Sequence, residues 1–196
     1  MGESCERRRD QILAAAERLL GHYGPGKTTV AEIAREAGIG VGTVYLEFSS
    51  KDSILVALSE ERHDEILAAM SRASEVRGPA AERLGKLFLA RTDGYLALAD
   101  AGAHAVDLIH CHACAALHDV RAAFHQRTHG LIEGLIREAA RNREFQSVDP
   151  SRSAGAVLEA FAAFAPPWLY QRPRASVHAE LVAVTELVVL GLARRR

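Results

Sequence analysis

Two stretches of this 196-residue chain hold side chains able to do chemistry. The denser is AHAVDLIHCHACAALHDVRAAFHQRTH, ending at His129, which holds most of the nine histidines and two of the three cysteines. Wound as one helix at about 100° per residue, it places His104, Asp107, Cys111, Cys114, His118, His125 and His129 within roughly an 80° arc. Val106, Ile109, Ala113, Leu117, Val120 and Phe124 fall on the opposite side. Reduced thiolates and imidazoles so arranged suit Zn, Cu(I) or Ni, although one straight helix rarely surrounds an ion and a second segment would have to close the site. Cys111-x-x-Cys114 would act as a thiol switch if a thiol pKa were depressed. Haem attachment through C-x-x-C-H fails because Ala115 follows Cys114. The third reading is a polar helix face that lines a small-molecule cavity, a partner surface or solvent. No metal site and no resident cofactor is assigned.

The other stretch is Gly21 to Thr28, GHYGPGKT, which satisfies the G-x-x-x-x-G-K-T pattern of a phosphate-cradling loop. Context rejects it. Such a loop follows a buried strand, whereas Gln11 to Leu20 has helical period, and no β-α alternation follows. The bland reading is a turn between helices made by Gly24 and Pro25, with Lys27 solvated. No catalytic residue is assigned, and an enzyme is not expected.

The elements around that turn carry a different function. Residues 28–51, TTVAEIAREAGIGVGTVYLEFSSK, read as two short helices joined by a glycine turn. Thr29 and Glu32 stand at capping-box spacing, with Thr28 an alternative cap. Val30, Ile33, Ala34 and Ala37 recur at i, i+3, i+4 and i+7 and make one apolar face. Gly38 ends that helix in the left-handed conformation, and Gly40 or Val41 starts the next. So short a connection forces a steep crossing, as in a helix-turn-helix. The second helix, Val41 to Phe48, would bury Val44 and Phe48 and present Gly42, Thr43, Leu46 and Glu47 to a major groove. Lys51 opens the following helix, where a cation opposes the dipole unless it helps the free N–H groups grip a phosphate.

The run T-T-V-x-E-I-A-x-x-A-G-I-x-x-G-T-V-Y-x-x-F-x-S-K-x-x-I-L, within residues 7–58, resembles the N-terminal domain of TetR-type transcriptional regulators. The resemblance implies a three-helix reading domain, with Tyr45 and Lys51 at phosphate contacts and Thr43 near the bases. Thr28, Thr29, Val41 and Gly42 complete the expected DNA-binding set. Three positions depart from the family pattern: Gly40 for a serine cap, Val41 for a polar residue, and Glu47 where an aromatic or histidine is common. The alternative for Tyr45 is a half-buried core tyrosine.

Composition sets the outer bounds. At 48% hydrophobic the chain can bury a sizeable core. The net charge is -1, and residues 1–52 carry seven Lys/Arg against eight Asp/Glu, which excludes a non-specific nucleic-acid coat. No signal peptide is evident, and no stretch is expected to approach the roughly 18 apolar residues of a membrane span. An odd number of cysteines points to a reducing cytoplasm rather than a disulfide scaffold.

Taken in order, Glu6 to Tyr23 is amphipathic through Ile12, Ala16, Leu19, Leu20 and Tyr23, with Arg7, Arg8 and Arg9 in its first turn. Helices follow from Lys51 to about Val76 and from Ala80 to about Ala99, the latter with Leu84, Leu87, Phe88, Arg91 and Tyr95 along it. Another runs past Gly130 to about Arg143. Asp149 and Pro150 then supply a cap and a first-turn proline for a helix through Leu158, Phe161 and Phe164, before Pro166 and Pro167 interrupt. The last helix, Ser176 to Ala193, has a wide apolar face of Leu181, Val184, Leu187, Val188 and Leu192 that suits a homodimer interface. The resemblance implies the same pairing.

An all-α protein is expected, with residues 1–52 as the helix-turn-helix domain and 53–196 as a helical effector-binding and dimerisation domain. Its partners would be a palindromic double-stranded DNA operator, a second copy of itself and a small-molecule effector, with no membrane. A repressor released from DNA by its ligand fits best, with half-sites about one helical turn or a small multiple apart. Phe88, Tyr95, Cys111, Cys114, His118, Phe161 and Trp168 are the candidate effector pocket. A metal- or thiol-responsive regulator of the same fold is the alternative.

Overall fold

A computed structural model describes residues 2–111, 114–146 and 149–193, with the side chains of 2–5 left aside. The described residues form nine α-helices and no β-strand; one isolated antiparallel bridge joins Phe145 to Ala193. The helices are α1 (Gly2–Tyr23), α2 (Val30–Glu36), α3 (Val41–Glu47), α4 (Lys51–Glu75), α5 (Ala80–Ala101), α6 (Asp107–His110), α7 (His118–Arg141), α8 (Pro150–Ala160) and α9 (Arg174–Leu192). Short 3-10 turns occupy Ala115–Leu117, Ala162–Phe164 and Trp168–Gln171.

Two compact units emerge. The first comprises 1–63 with 97–122, the second 64–96 with 123–196. The first unit buries Ile12, Ala16 and Leu20 of α1 with Ile33 of α2, Val44 of α3, and Ile54, Leu55 and Leu58 of α4. Leu108 and Leu117 from the later segment complete that core, and Cys111 and Cys114 pack half-buried against it. That later segment is locked to the end of α1. The His104 amide donates to the Gly21 carbonyl at 3.0 Å, and Gly102 lies so close that a Cβ there would meet the Gly21 oxygen at 2.8 Å.

The single helix expected over 104–129 does not form. Helix α6 is only four residues long and ends at Cys111, whose backbone is extended; a 3-10 turn and the start of α7 follow. The ligand-capable face is thereby broken up. Helices that carry few apolar contacts on one side hold only where the other side packs, and here Leu108 and Ile109 of α6 and Leu117 of the 3-10 turn are buried. His112 and Ala113 lie outside the described residues.

In the second unit, Ile66, Leu67 and Met70 of α4 and Leu84, Leu87 and Phe88 of α5 are buried. Ile132, Leu135 and Ile136 of α7, Val157 and Leu158 of α8, and Val177 and Leu181 of α9 join them. Arg83 forks onto Glu138 at 2.6 and 3.0 Å and also donates to the Ser74 carbonyl at 2.6 Å. That bidentate pair holds the Glu138 carboxyl below its ordinary range. Asp149 caps α8 by accepting from the amides of Ser151 and Arg152, with Pro150 in the first turn.

Helix α9 departs from expectation in one respect. It is long and apolar enough to cross a bilayer by length and composition, whereas no such stretch was expected from the sequence. Its residues are apolar on nearly all sides, but His178, Glu180 and Glu186 interrupt it, and little of its surface is buried within the chain. Val182, Leu187 and Leu190 are exposed, the last two at 69% and 72%.

Candidate functional site

The helix-turn-helix is built from the residues that spacing singled out. Thr29 caps α2: its hydroxyl accepts from the Glu32 amide at 3.3 Å, and the Glu32 carboxylate accepts from the Thr29 amide and hydroxyl, both at 2.8 Å. Those hydrogen bonds hold the Glu32 carboxyl below its usual range. Gly38, at φ +68°, closes the helix in the left-handed region. Gln11 of α1 donates to the Ala37 carbonyl at 2.5 Å and satisfies one of the groups that the end of α2 leaves open. After Gly40, α3 runs for two turns and ends at Phe48, which is buried with Val44.

What α3 leaves outside is a face of mixed chemistry. Val41 and Gly42 are exposed, Tyr45 is 53% exposed and Leu46 80% exposed, with Thr43 half-buried among them. Tyr45 is therefore not a core tyrosine. Glu47, expected outward, is instead half-buried and pairs with Arg8 at 3.5 Å, while Arg9 lies 4.5 Å over the Phe48 ring. Arg8 and Arg9, in the second turn of α1, thus hold the end of α3.

Two of the expected contact residues face inward. Thr28 is 2% exposed and its hydroxyl donates to the Gly24 carbonyl at 3.0 Å. Lys51 is half-buried, with Nζ donating to the carbonyls of Pro25 at 2.7 Å and Thr28 at 3.1 Å. The octet GHYGPGKT is accordingly a turn after a helix, with its carbonyls turned to a cation, the reverse of a phosphate cradle whose amides face an anion. Ser50 and Ser53 exchange hydrogen bonds at 3.1 Å and start α4 beside it.

The candidate effector residues separate. Phe88, Tyr95, Phe161 and Trp168 belong to the second unit; Cys111, Cys114 and His118 belong to the first. Trp168, also proposed as lining, is 59% exposed. Cys111 and Cys114 are joined to each other as a disulfide, against the expectation of free thiols. His104 pairs with Asp107 at 3.0 Å, His118 with Asp119 at 3.2 Å, and His129 contacts the Ser151 carbonyl at 3.0 Å. Among the described residues no group of three or more His, Cys, Asp or Glu could hold a metal ion, and the metal reading loses its support.

In the second unit the rings of Phe88 and Phe161 stack at 3.7 Å, and Arg91 sits one turn along α5 with its guanidinium 5.2 Å from the Phe88 ring and 5.8 Å from that of Tyr95. Sequence reasoning placed Phe88, Tyr95 and Phe161 together but passed over Arg91. The available signal was a cation at i+3 from Phe88 and i-4 from Tyr95, inside an otherwise apolar stripe.

An all-helical chain with a capped helix-turn-helix at one end and a largely apolar helical body defines the class of two-unit helical DNA-binding proteins. Its sequence matches the family of bacterial regulatory proteins of the tetR type over residues 12–58 and the tetracyclin repressor-like C-terminal domain over residues 80–185. The chain belongs to the TetR family.

Among relatives, the fatty acid metabolism regulator protein of Bacillus subtilis is 32% identical over 74 residues, 38% of either chain. The HTH-type transcriptional regulator TtgR of Pseudomonas putida is 36% identical over 77 residues, covering 38% of this chain and 37% of TtgR. The chain thus spans little more than a third of the curated relatives it matches. Over nearly its whole length it shares the fold of a protein of unknown function from Rhodococcus, with a TM-score of 0.73 at 26% identity, covering 95% of this chain and 96% of that one. It also shares the fold of FadR from Bacillus subtilis in complex with stearoyl-CoA, with a TM-score of 0.70 at 20% identity, covering 93% and 98%.

Proposed function

We propose that this chain is a ligand-responsive DNA-binding transcriptional regulator, a repressor that a small molecule releases from a palindromic operator. The observation that carries the reading is the outward face of α3. Exposed Val41, Gly42 and Tyr45 and half-buried Thr43 crown a helix whose inner side is fixed by Val44 and Phe48. A two-turn helix held this way, with a small first turn, can enter a major groove and bring Thr43 to base edges while Tyr45 reaches a phosphate. Lys51 contributes mainly by holding the turn before α2; its ammonium has three N–H groups and two are committed.

Two such helices must be presented together, and α9 supplies the means. Its exposed Val182, Leu187 and Leu190 form an apolar surface that a second copy of the chain would cover. The FadR neighbour carries stearoyl-CoA and another fold neighbour, SmeT, carries triclosan, which supports an effector held by the helical body. Such an effector weakens DNA binding only by as much as it discriminates between the two states.

Selection from a randomised duplex pool with the purified chain tests the reading. The expected product is an inverted repeat, with half-site centres about 34 Å or a multiple apart. Thr43→Val should relax the sequence preference, and Tyr45→Phe should lower affinity across all sequences. A pool that shows no enrichment after repeated rounds would refute the reading.

A further inference from the structure

Arg91 is a buried cation without a counter-ion. It is 5% exposed, its Nε has no hydrogen-bond partner, and its one hydrogen bond is a long contact of 3.4 Å from Nη2 to the Phe161 carbonyl. No carboxylate among the described residues pairs with it. The nearby cations are engaged elsewhere: Arg172, 4.8 Å over the Phe164 ring, is paired with Glu180, and Arg174 donates to the Leu96 carbonyl at 2.7 Å. Burial pulls the Arg91 pKa down, with only the Tyr95 hydroxyl acting against it.

An unpaired buried guanidinium is costly, because desolvation removes hydration that aromatic faces replace only in part. Aromatic faces alone would be served as well by an uncharged side chain. The free atoms are also specific ones. Nε–H is unbonded and the adjacent Nη2 makes only the long contact to Phe161, and their parallel N–H groups make the side-on fork that donates to both oxygens of a carboxylate.

We infer that Arg91 is the recognition group for the effector and that the effector is a monocarboxylic acid with an apolar body, its two oxygens on Nε and Nη2 of Arg91 and its body against Phe88, Tyr95 and Phe161. This deepens the regulator reading above and rests on it for the word effector. A single carboxylate neutralises a single guanidinium, whereas a phosphate dianion would need a second cation that the surroundings do not offer. The body must be apolar because the walls are. Phe88 and Phe161 are fully buried and stacked on each other at 3.7 Å, so the acid enters by parting these rings. Phe161 stands where α8 stops, followed by short 3-10 turns rather than continuous helix, and is the ring that moves on binding in this inference.

The test is calorimetric titration and thermal unfolding of the full chain with octanoate, decanoate, dodecanoate and 4-phenylbutyrate. Each acid is paired with its primary amide, and dodecanoyl-CoA is included. At least one acid should bind and raise the unfolding temperature by several degrees, with its amide at least tenfold weaker. Arg91→Met should abolish that binding yet leave the unliganded chain at least as stable as the parent, since it removes an uncompensated charge from the interior. Arg91→Lys, which keeps the charge and loses the fork, should bind at least tenfold more weakly.

Equal binding of acid and amide, undiminished binding by Arg91→Met, or binding of dodecanoyl-CoA with none of the free acids would overturn the inference. So would binding of no acid at all. Should Arg91→Met not fold, a folded Arg91→Lys that binds the acids as the parent does is the overturning result. These measurements contain no DNA. Failure to select an operator therefore sinks the regulator reading while the calorimetry still decides whether Arg91 holds a carboxylate.

Discussion

The ammonium of Lys51 donates to the carbonyl of Pro25 at 2.7 Å, tying the first residue of α4 to the turn that precedes α2. The Thr28 carbonyl accepts from the same nitrogen at 3.1 Å, and the buried Thr28 hydroxyl reaches back to Gly24 at 3.0 Å. A cation at a helix start is disfavoured by the dipole. Here two carbonyls repay it, and the result is a closed loop from Gly24 to Lys51 around the reading helices.

Lys51→Met should therefore lower stability as well as DNA affinity. Two charge-assisted hydrogen bonds are lost, each worth about 1.5–3 kcal/mol, offset in part by relief at the helix start. A net loss of about 2–5 kcal/mol is expected by denaturant unfolding. A variant as stable as the parent but impaired on DNA would instead make Lys51 a direct phosphate contact.

The capping box at Thr29 and Glu32 gives a second expectation. Thr29→Ala should cost about 1 kcal/mol, the usual worth of an N-cap. The Glu32 carboxyl is held below its ordinary 4.5 by the hydroxyl and amide of Thr29. A depressed carboxyl stabilises the fold fully above its unfolded value and loses that contribution as pH falls through the folded one. Stability measured from pH 6 to pH 3 should decline less steeply in Glu32→Gln than in the parent; identical slopes would show the box to be idle.

Much of this was legible in the sequence because it is local. The capping box, the Gly38 stop, the Asp149 cap with Pro150 and the burial of Val44 and Phe48 depend on residues within a turn or two of each other. The misreadings are those in which a distant partner decides. Glu47 was assigned to the surface from helical period alone, and Arg8, nearly forty residues earlier, turns it inward. A helix was drawn through residues 104–129 by extending one period across a segment whose packing on α1 breaks it at Cys111. For Arg91 the two rings beside it on α5 are local and legible, whereas its contact with the Phe161 carbonyl, seventy residues away, is not.

Gly102 and Gly21 give a third prediction. A Cβ on Gly102 would sit 2.8 Å from the Gly21 carbonyl oxygen, and that oxygen also accepts from the His104 amide at 3.0 Å. The obstacle is backbone, so no side chain can rotate out of the way. Gly102→Ala should destabilise the first unit by about 1–3 kcal/mol, the range for forced overpacking. Hydrogen exchange should show faster opening of the His104 amide. Gly130→Ala, which would meet nothing within 4 Å on a helix, is the matched control and should be neutral or mildly stabilising.

The last prediction concerns α9. Leu187 and Leu190, 69% and 72% exposed, lie three residues apart and so share a face, with Val182 also outward on the same helix. An isolated exposed leucine needs no explanation, but a run of them on the most apolar helix of the chain does. If a second copy covers them, Leu187→Glu places a carboxylate in a dry contact facing its own symmetry mate, and both desolvation and like-charge repulsion oppose association. Sedimentation should show the parent as a dimer at micromolar concentration and Leu187→Glu as a monomer with unchanged helical content. DNA affinity should fall steeply, because one reading helix is left where two half-sites must be met. Thr185, almost buried with its hydroxyl bonded to the Leu181 carbonyl at 2.8 Å, marks the inner side of the same helix. Thr185→Val should therefore leave the dimer intact. A Leu187→Glu chain that still sediments as a dimer would move the interface to another face.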